Sequence, residues 1–172
     1  MSIFSMLFFC FFQQRGNDLA TFQSSALSLD VVSGAINTVV LLTSSLMMVL
    51  ALEAYRKSKF ELTCRFLLFA VLLGGIFSLN KLFEYGSKLG EGITPISNDF
   101  FMYYFVLTGM HFLHVLVGMI VLAYFLLRIR RGLHSNNQLD MPGKESLEGS
   151  ANYWHMVDLI WIMIFPLLYM LG

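Results

Sequence analysis

The stretch FFMYYFVLTGMHFLHVLVGMIVLAYFLL, residues 100–127, contains no lysine, arginine, aspartate or glutamate. About 20 apolar residues in a helix are enough to cross the roughly 30 Å hydrocarbon core of a bilayer. This run is longer than that and predicts a spanning helix. In its middle stand His111 and His114. Three apart, they share one helix face. Histidine is costly in hydrocarbon. The pair reads as ligands for a metal or haem, as part of a proton path, or as the polar seam of a membrane bundle.

The rest of the chain fits a bilayer as well. Of its 172 residues, 57% are hydrophobic, 15% aromatic and 13% charged, with a mean hydropathy of +0.70. A soluble domain carries about 25% charged residues. The formal net charge is zero, which gives no sign of a nucleic-acid partner. Cys10 and Cys64 fall in separate apolar segments. They read as small buried hydrophobes rather than as a disulfide framework or a metal cluster.

Three more segments are long and apolar enough to span, at about residues 31–54, 62–85 and 152–171, beside the 100–127 run. Ahead of them, residues 1–14 hold an apolar part, Ile3 to Phe12, too short to span alone. With no basic start and no small-residue cleavage site, it does not read as a signal peptide. It reads as the second half of a spanning helix or as a short one. The expected fold is therefore all-α: a polytopic transmembrane bundle of about five helices, the first short or truncated, in one domain over 1–172. No internal repeat is visible. Pro95 and Pro142 fall in polar linkers, whereas Pro166 lies inside the last span and predicts a kink there unless neighbours satisfy the freed carbonyl.

Lysine and arginine placement orients the chain. The loop after the 31–54 span carries Arg56, Lys57, Lys59 and Arg65, and the loop before the last span carries Arg128, Arg130, Arg131 and Lys144. The other two linkers hold Arg15 and Lys88. Both basic loops are expected in the cytoplasm, which puts the N-terminus inside and the C-terminus outside.

Ionisable residues within a span are candidate functional residues, since each costs on the order of 3 kcal/mol at the bilayer centre. They are Lys81 and Glu84, His111 and His114, and His155 and Asp158, each pair three apart. Asn37 adds a hydrogen-bonding group to the 31–54 span. Lys81 and Glu84 read either as a salt bridge near a membrane surface or as a pair whose carboxyl meets a partner helix, a lipid or a proton path. His155 and Asp158 follow Tyr153 and Trp154, which suggest an interfacial aromatic belt at the start of the last helix. A bis-histidine haem would need His111 or His114 facing His155. No HExxH pattern, nucleophile motif or phosphate loop is present.

Four segments then form a familiar series: INTVVLLTSS (36–45), KLFEYG (81–86), NDFFMYYFVLTGMHFLHVLVG (98–118) and YWHMVDLIWIMIFPLLY (153–169). In this order they resemble subunit III of the haem–copper oxidases, the cytochrome c oxidase subunit III family, from about Ala35 to the C-terminus. The chain resembles its short five-helix members rather than the seven-helix form. The stretches KLGEGITP and WIMIFPLLY are similar to the NorE-like branch associated with nitric oxide reductases.

The resemblance implies a non-catalytic membrane subunit or accessory protein with no haem or metal of its own. It implies a place beside catalytic subunit I of an oxidase, or the catalytic subunit of a nitric oxide reductase, in a bacterial inner membrane. It also implies bound phospholipid and support of assembly or proton-coupled turnover in the respiratory chain. Glu84, His111, His114, His155 and Asp158 fall on the family's motif positions, and the histidines become a polar seam inside the bundle. With Asn37, Lys81 and Trp154 they are the expected contacts to subunit or lipid. The alternative is a membrane cytochrome of b type using His111 or His114 with His155. A transporter would be expected to show repeats and broken helices.

Overall fold

The structure, a computed structural model, describes residues 2–17, 31–90, 92, 94, 99–135 and 142–169. These form five helices: α1 (Ser2–Asn17), α2 (Val31–Arg56), α3 (Phe60–Gly90), α4 (Asp99–Ser135) and α5 (Lys144–Tyr169). The described residues contain no strand. Helices α2 to α5 are each long and apolar enough to cross a membrane. At 16 residues, α1 is about 24 Å long and falls short of a hydrocarbon core.

The four long helices form a ring. Helix α2 packs on α3 and α5, and α4 packs on the same two. Neighbours alternate in direction. The tight turn at 57–59 sends α3 back along α2: Ser58 takes a left-handed φ of 57°, Lys59 N–H donates to the Ala54 carbonyl and Ser58 N–H to that of Tyr55. This Schellman arrangement absorbs carbonyls that the end of α2 leaves open. The same end of the ring receives the start of α5. Tyr55 donates to the Pro142 carbonyl, and Arg56 donates to Glu148 at 2.8 Å. Helix α1 lies on α4 alone among its strong contacts. Phe11 meets Phe100 and Tyr103, and Phe4 meets His114 edge-on. It therefore covers the first half of α4 and runs against it.

Lipid tails are as apolar as leucine, so membrane helices gain from close packing and interhelical hydrogen bonds rather than from expelling water. Here large rings of α5 sit against glycines. A Cβ on Gly118 of α4 would lie 2.7 Å from the Trp154 ring, one on Gly74 of α3 3.0 Å from it, and one on Gly34 of α2 2.7 Å from Phe165. Both indoles donate to hydroxyls of α2: Trp154 to Ser44 at 3.1 Å and Trp161 to Thr38 at 3.0 Å. Trp154 thus touches α2, α3 and α4 from α5.

The helix ends and the place of Trp154 need correction. Helix α5 begins at Lys144 rather than near residue 152. Gly143 caps it, accepting from Ser146 and Leu147, and Leu147, Ser150 and Ala151 are buried. The polar first turns end the hydropathic signal without ending the helix. Trp154 is consequently at the centre of the bundle, fully buried, rather than in an interfacial belt. Helices α3 and α4 likewise outrun the apolar segments of about 62–85 and 100–127. Helix α5 continues through Pro166 to Tyr169.

Gly118→Ala is the sharpest probe of this packing. Its methyl forces the Trp154 ring to move, and we expect a loss of about 1–3 kcal/mol. Reversible unfolding by SDS in mixed micelles measures it. A stability equal to wild type would mean the indole is not seated against α4.

Candidate functional site

Lys81 and Glu84 lie one turn apart on α3, two turns before its end. Both are taken out of water: their side chains are 1% and 9% exposed. Lys81 Nζ donates to Glu84 Oε2 at 2.9 Å, to the Tyr169 hydroxyl of α5 at 2.8 Å and to that of Tyr104 of α4 at 3.4 Å. The other carboxylate oxygen, Oε1, accepts from Tyr104 at 2.6 Å and from Tyr169 at 2.5 Å. The ammonium also lies 5.1–5.7 Å from the ring centres of Tyr85, Tyr104, Trp161 and Tyr169. Tyr85 donates to Thr108 at 2.7 Å. The cluster is an ion pair with three charge-assisted donors on its carboxylate and an aromatic wall around its cation.

The salt bridge read from the spacing is present, and its carboxylate also meets the partner helices α4 and α5. Lys81 lies on the buried face of α3. Spacing found the pair itself. Sequence reasoning missed Tyr85, Tyr104, Trp161 and Tyr169, which complete it. Their signal was weak, because tyrosines in apolar helices usually mark the interface.

The other expected residues do not join this cluster. Asn37 is buried on α2 and accepts from Asn80 of α3 at 3.1 Å. His111 is 0% exposed. Its ring meets Phe77 edge-on at 5.8 Å and lies tilted against Trp161 at 5.2 Å, and neither nitrogen has a hydrogen bond among the described residues. His114 Nδ1 donates to the Met110 carbonyl of its own helix at 2.7 Å. His155 Nδ1 and Ser45 Oγ of α2 are 2.5 Å apart. Asp158 is buried, and neither carboxylate oxygen has a hydrogen bond among the described residues. The histidines therefore have separate surroundings rather than one shared seam. Among the described residues no group of three or more His, Cys, Asp or Glu is placed to hold a metal ion.

Comparison with known proteins fits this arrangement. The family model described as cytochrome c oxidase subunit III matches residues 3–172. The chain belongs to the cytochrome c oxidase subunit III family. It is a multi-pass membrane protein. One relative, named heme-copper oxidase subunit I+III, from Aeropyrum pernix, is 30% identical over 98% of this chain and 20% of its own length. A probable quinol oxidase subunit 3 from Staphylococcus epidermidis is 32% identical over 80% of this chain and 66% of its own. Another, from Staphylococcus aureus, is 30% identical over 92% and 76%. The chain thus spans a fifth of the first of these relatives and just under two thirds of the second.

The cluster yields a two-step prediction. Lys81→Met alone leaves a buried carboxylate without its cation, and we expect a loss of about 3–5 kcal/mol. Adding Glu84→Gln removes the stranded charge and restores more than half of that loss. SDS unfolding of both variants tests it; equal losses in the single and double variants would mean that the two charges are uncoupled.

Proposed function

We propose that the chain is a non-catalytic subunit of a haem–copper respiratory oxidase and packs in the membrane beside catalytic subunit I. The carrying observation is family membership over nearly the whole chain. The relative from Aeropyrum pernix supports the partner, since its name joins subunits I and III. The inward polar groups fit a supporting role: Lys81, Glu84, Asn37, Ser44, Thr38 and both tryptophans bond within the bundle. The outer faces of α2 and α3 expose Val32, Val39, Phe69, Leu79 and Phe83, a surface for lipid and for another apolar subunit. Bound phospholipid belongs to this reading. The apolar groove lined by Phe8 and Phe12 of α1 and Ile162, Met163, Pro166 and Leu167 of α5 offers acyl chains a seat.

An oxidase is the parent complex we favour, because the relatives named above are oxidase subunits. A nitric oxide reductase is the other parent that the NorE-like stretches allow. The setting we propose is a bacterial inner membrane. The alternating helices bring Arg56, Lys57, Lys59, Arg65, Arg128, Arg130, Arg131 and Lys144 to one end of the ring. By the preference of basic residues for the cytoplasmic side, that end faces inward and Tyr169 lies outward.

The test is co-purification. A tagged chain extracted from its native host in mild detergent should bring a haem–copper catalytic subunit in stoichiometric amount, and the identity of that subunit decides between the two parents. Recovery of the chain alone would overturn the subunit reading. An alkaline phosphatase fused at the C-terminus should be active; an inactive fusion that is cytoplasmic by protease protection would reverse the orientation.

A further inference from the structure

The bundle holds two membrane-embedded carboxyls and provides for them in opposite ways. Glu84 has an ammonium and two phenols donating to it. Asp158 is 4% exposed, and both of its oxygens are without a hydrogen bond among the described residues. Its helix faces α2 and α4. The inward part of α2, residues 31–52, has no charged residue and brings Ser45 beside Asp158. That hydroxyl is engaged with His155 Nδ1 of α5, the titratable neighbour one turn away. On α4 the titratable groups His111 and His114 are turned to Phe77, Trp161 and the Met110 carbonyl. Lys81 of α3 is committed to Glu84 and Tyr169.

An unpaired carboxylate in an apolar interior costs several kcal/mol. A neutral carboxylic acid avoids that cost and becomes a donor instead of an acceptor. Ser45 Oγ is the acceptor at hand. We propose that Asp158, Ser45 and His155 form a buried proton-binding site at the α2–α5 contact, in which Asp158 holds the proton as a carboxylic acid beside the Ser45–His155 pair. The inference rests on the fold and the donor inventory, and stands apart from the choice of parent complex.

Infrared spectroscopy of the purified chain in lipid nanodiscs tests it directly. At about pH 6, where exposed carboxyls are already ionised, one carboxylic-acid C=O stretch is expected. It should shift when the protein carries 13C-aspartate, a labelling that needs no substitution, and vanish in Asp158→Asn. Absence of an aspartate-sensitive band would overturn the proposal, as would its survival in Asp158→Asn. Stability gives a second readout. The folded state binds a proton that the unfolded state lacks, so wild type loses stability as pH rises. Between about pH 5 and 6, its slope should exceed that of Asp158→Asn by close to one proton per molecule. Equal slopes would mean that Asp158 is ionised in the bundle.

Discussion

Hydrocarbon offers no hydrogen bonds, and this constraint shapes the molecule more than any single contact. A polar group carried into the membrane is costly unless it finds a partner on another helix or on its own. The Lys81–Glu84 cluster meets the requirement most fully. It draws on α3, α4 and α5 at once. At the opposite end, Tyr55, Arg56, Pro142 and Glu148 tie α2 to α5 in a setting exposed enough for water to help. The polar contacts therefore act as registers. Sliding α5 by one turn against α2 and α3 would part Tyr169 from both charges and Trp161 from Thr38.

Shape supplies what the hydrophobic effect does not. Two tryptophans in α5 stand two turns apart, and each indole N–H meets a hydroxyl of α2. Gly74 and Gly118 let the helices close around Trp154 from the other side. A larger residue at either glycine would push out the ring and break its bond to Ser44. Packing and hydrogen bonding are thus one interaction here, which is why a methyl group can matter as much as a charge.

The spans, the polar pairs and the basic end were legible in the sequence, because hydropathy and i, i+3 spacing are properties of one helix. Helix ends were not. The segment KESLEGSAN looks like a loop by composition, yet its Leu147, Ser150 and Ala151 are buried and continue α5 for two turns. That shift moves Trp154 and Asp158 from the start of the helix to buried positions well inside it. Cross-helix partners were illegible for a different reason. The rotation of α4 and α5 about their axes decides whether Tyr104 and Tyr169 face lipid or Lys81, and one chain's composition does not fix that rotation. The residues that bond the α2 hydroxyls, Trp154 and Trp161, were hidden in the same way.

The contrast between Glu84 and Asp158 shows why spacing alone misleads. Each acid follows a basic residue by three positions on an apolar helix, and by pattern they are equivalent. Glu84 meets its cation because Lys81 is long enough to fold back over one turn and because two tyrosines of other helices hold the far side of the carboxylate. His155 is shorter, and its Nδ1 is turned to Ser45 of α2, so it makes no ion pair with the acid one turn on. One turn of separation offers the chance of a pair. The length of the basic side chain and the groups that neighbouring helices present decide whether the pair forms. In a bilayer, where no water takes the place of a missing partner, that decision separates an ionised carboxylate that locks three helices from a neutral acid with no ion pair.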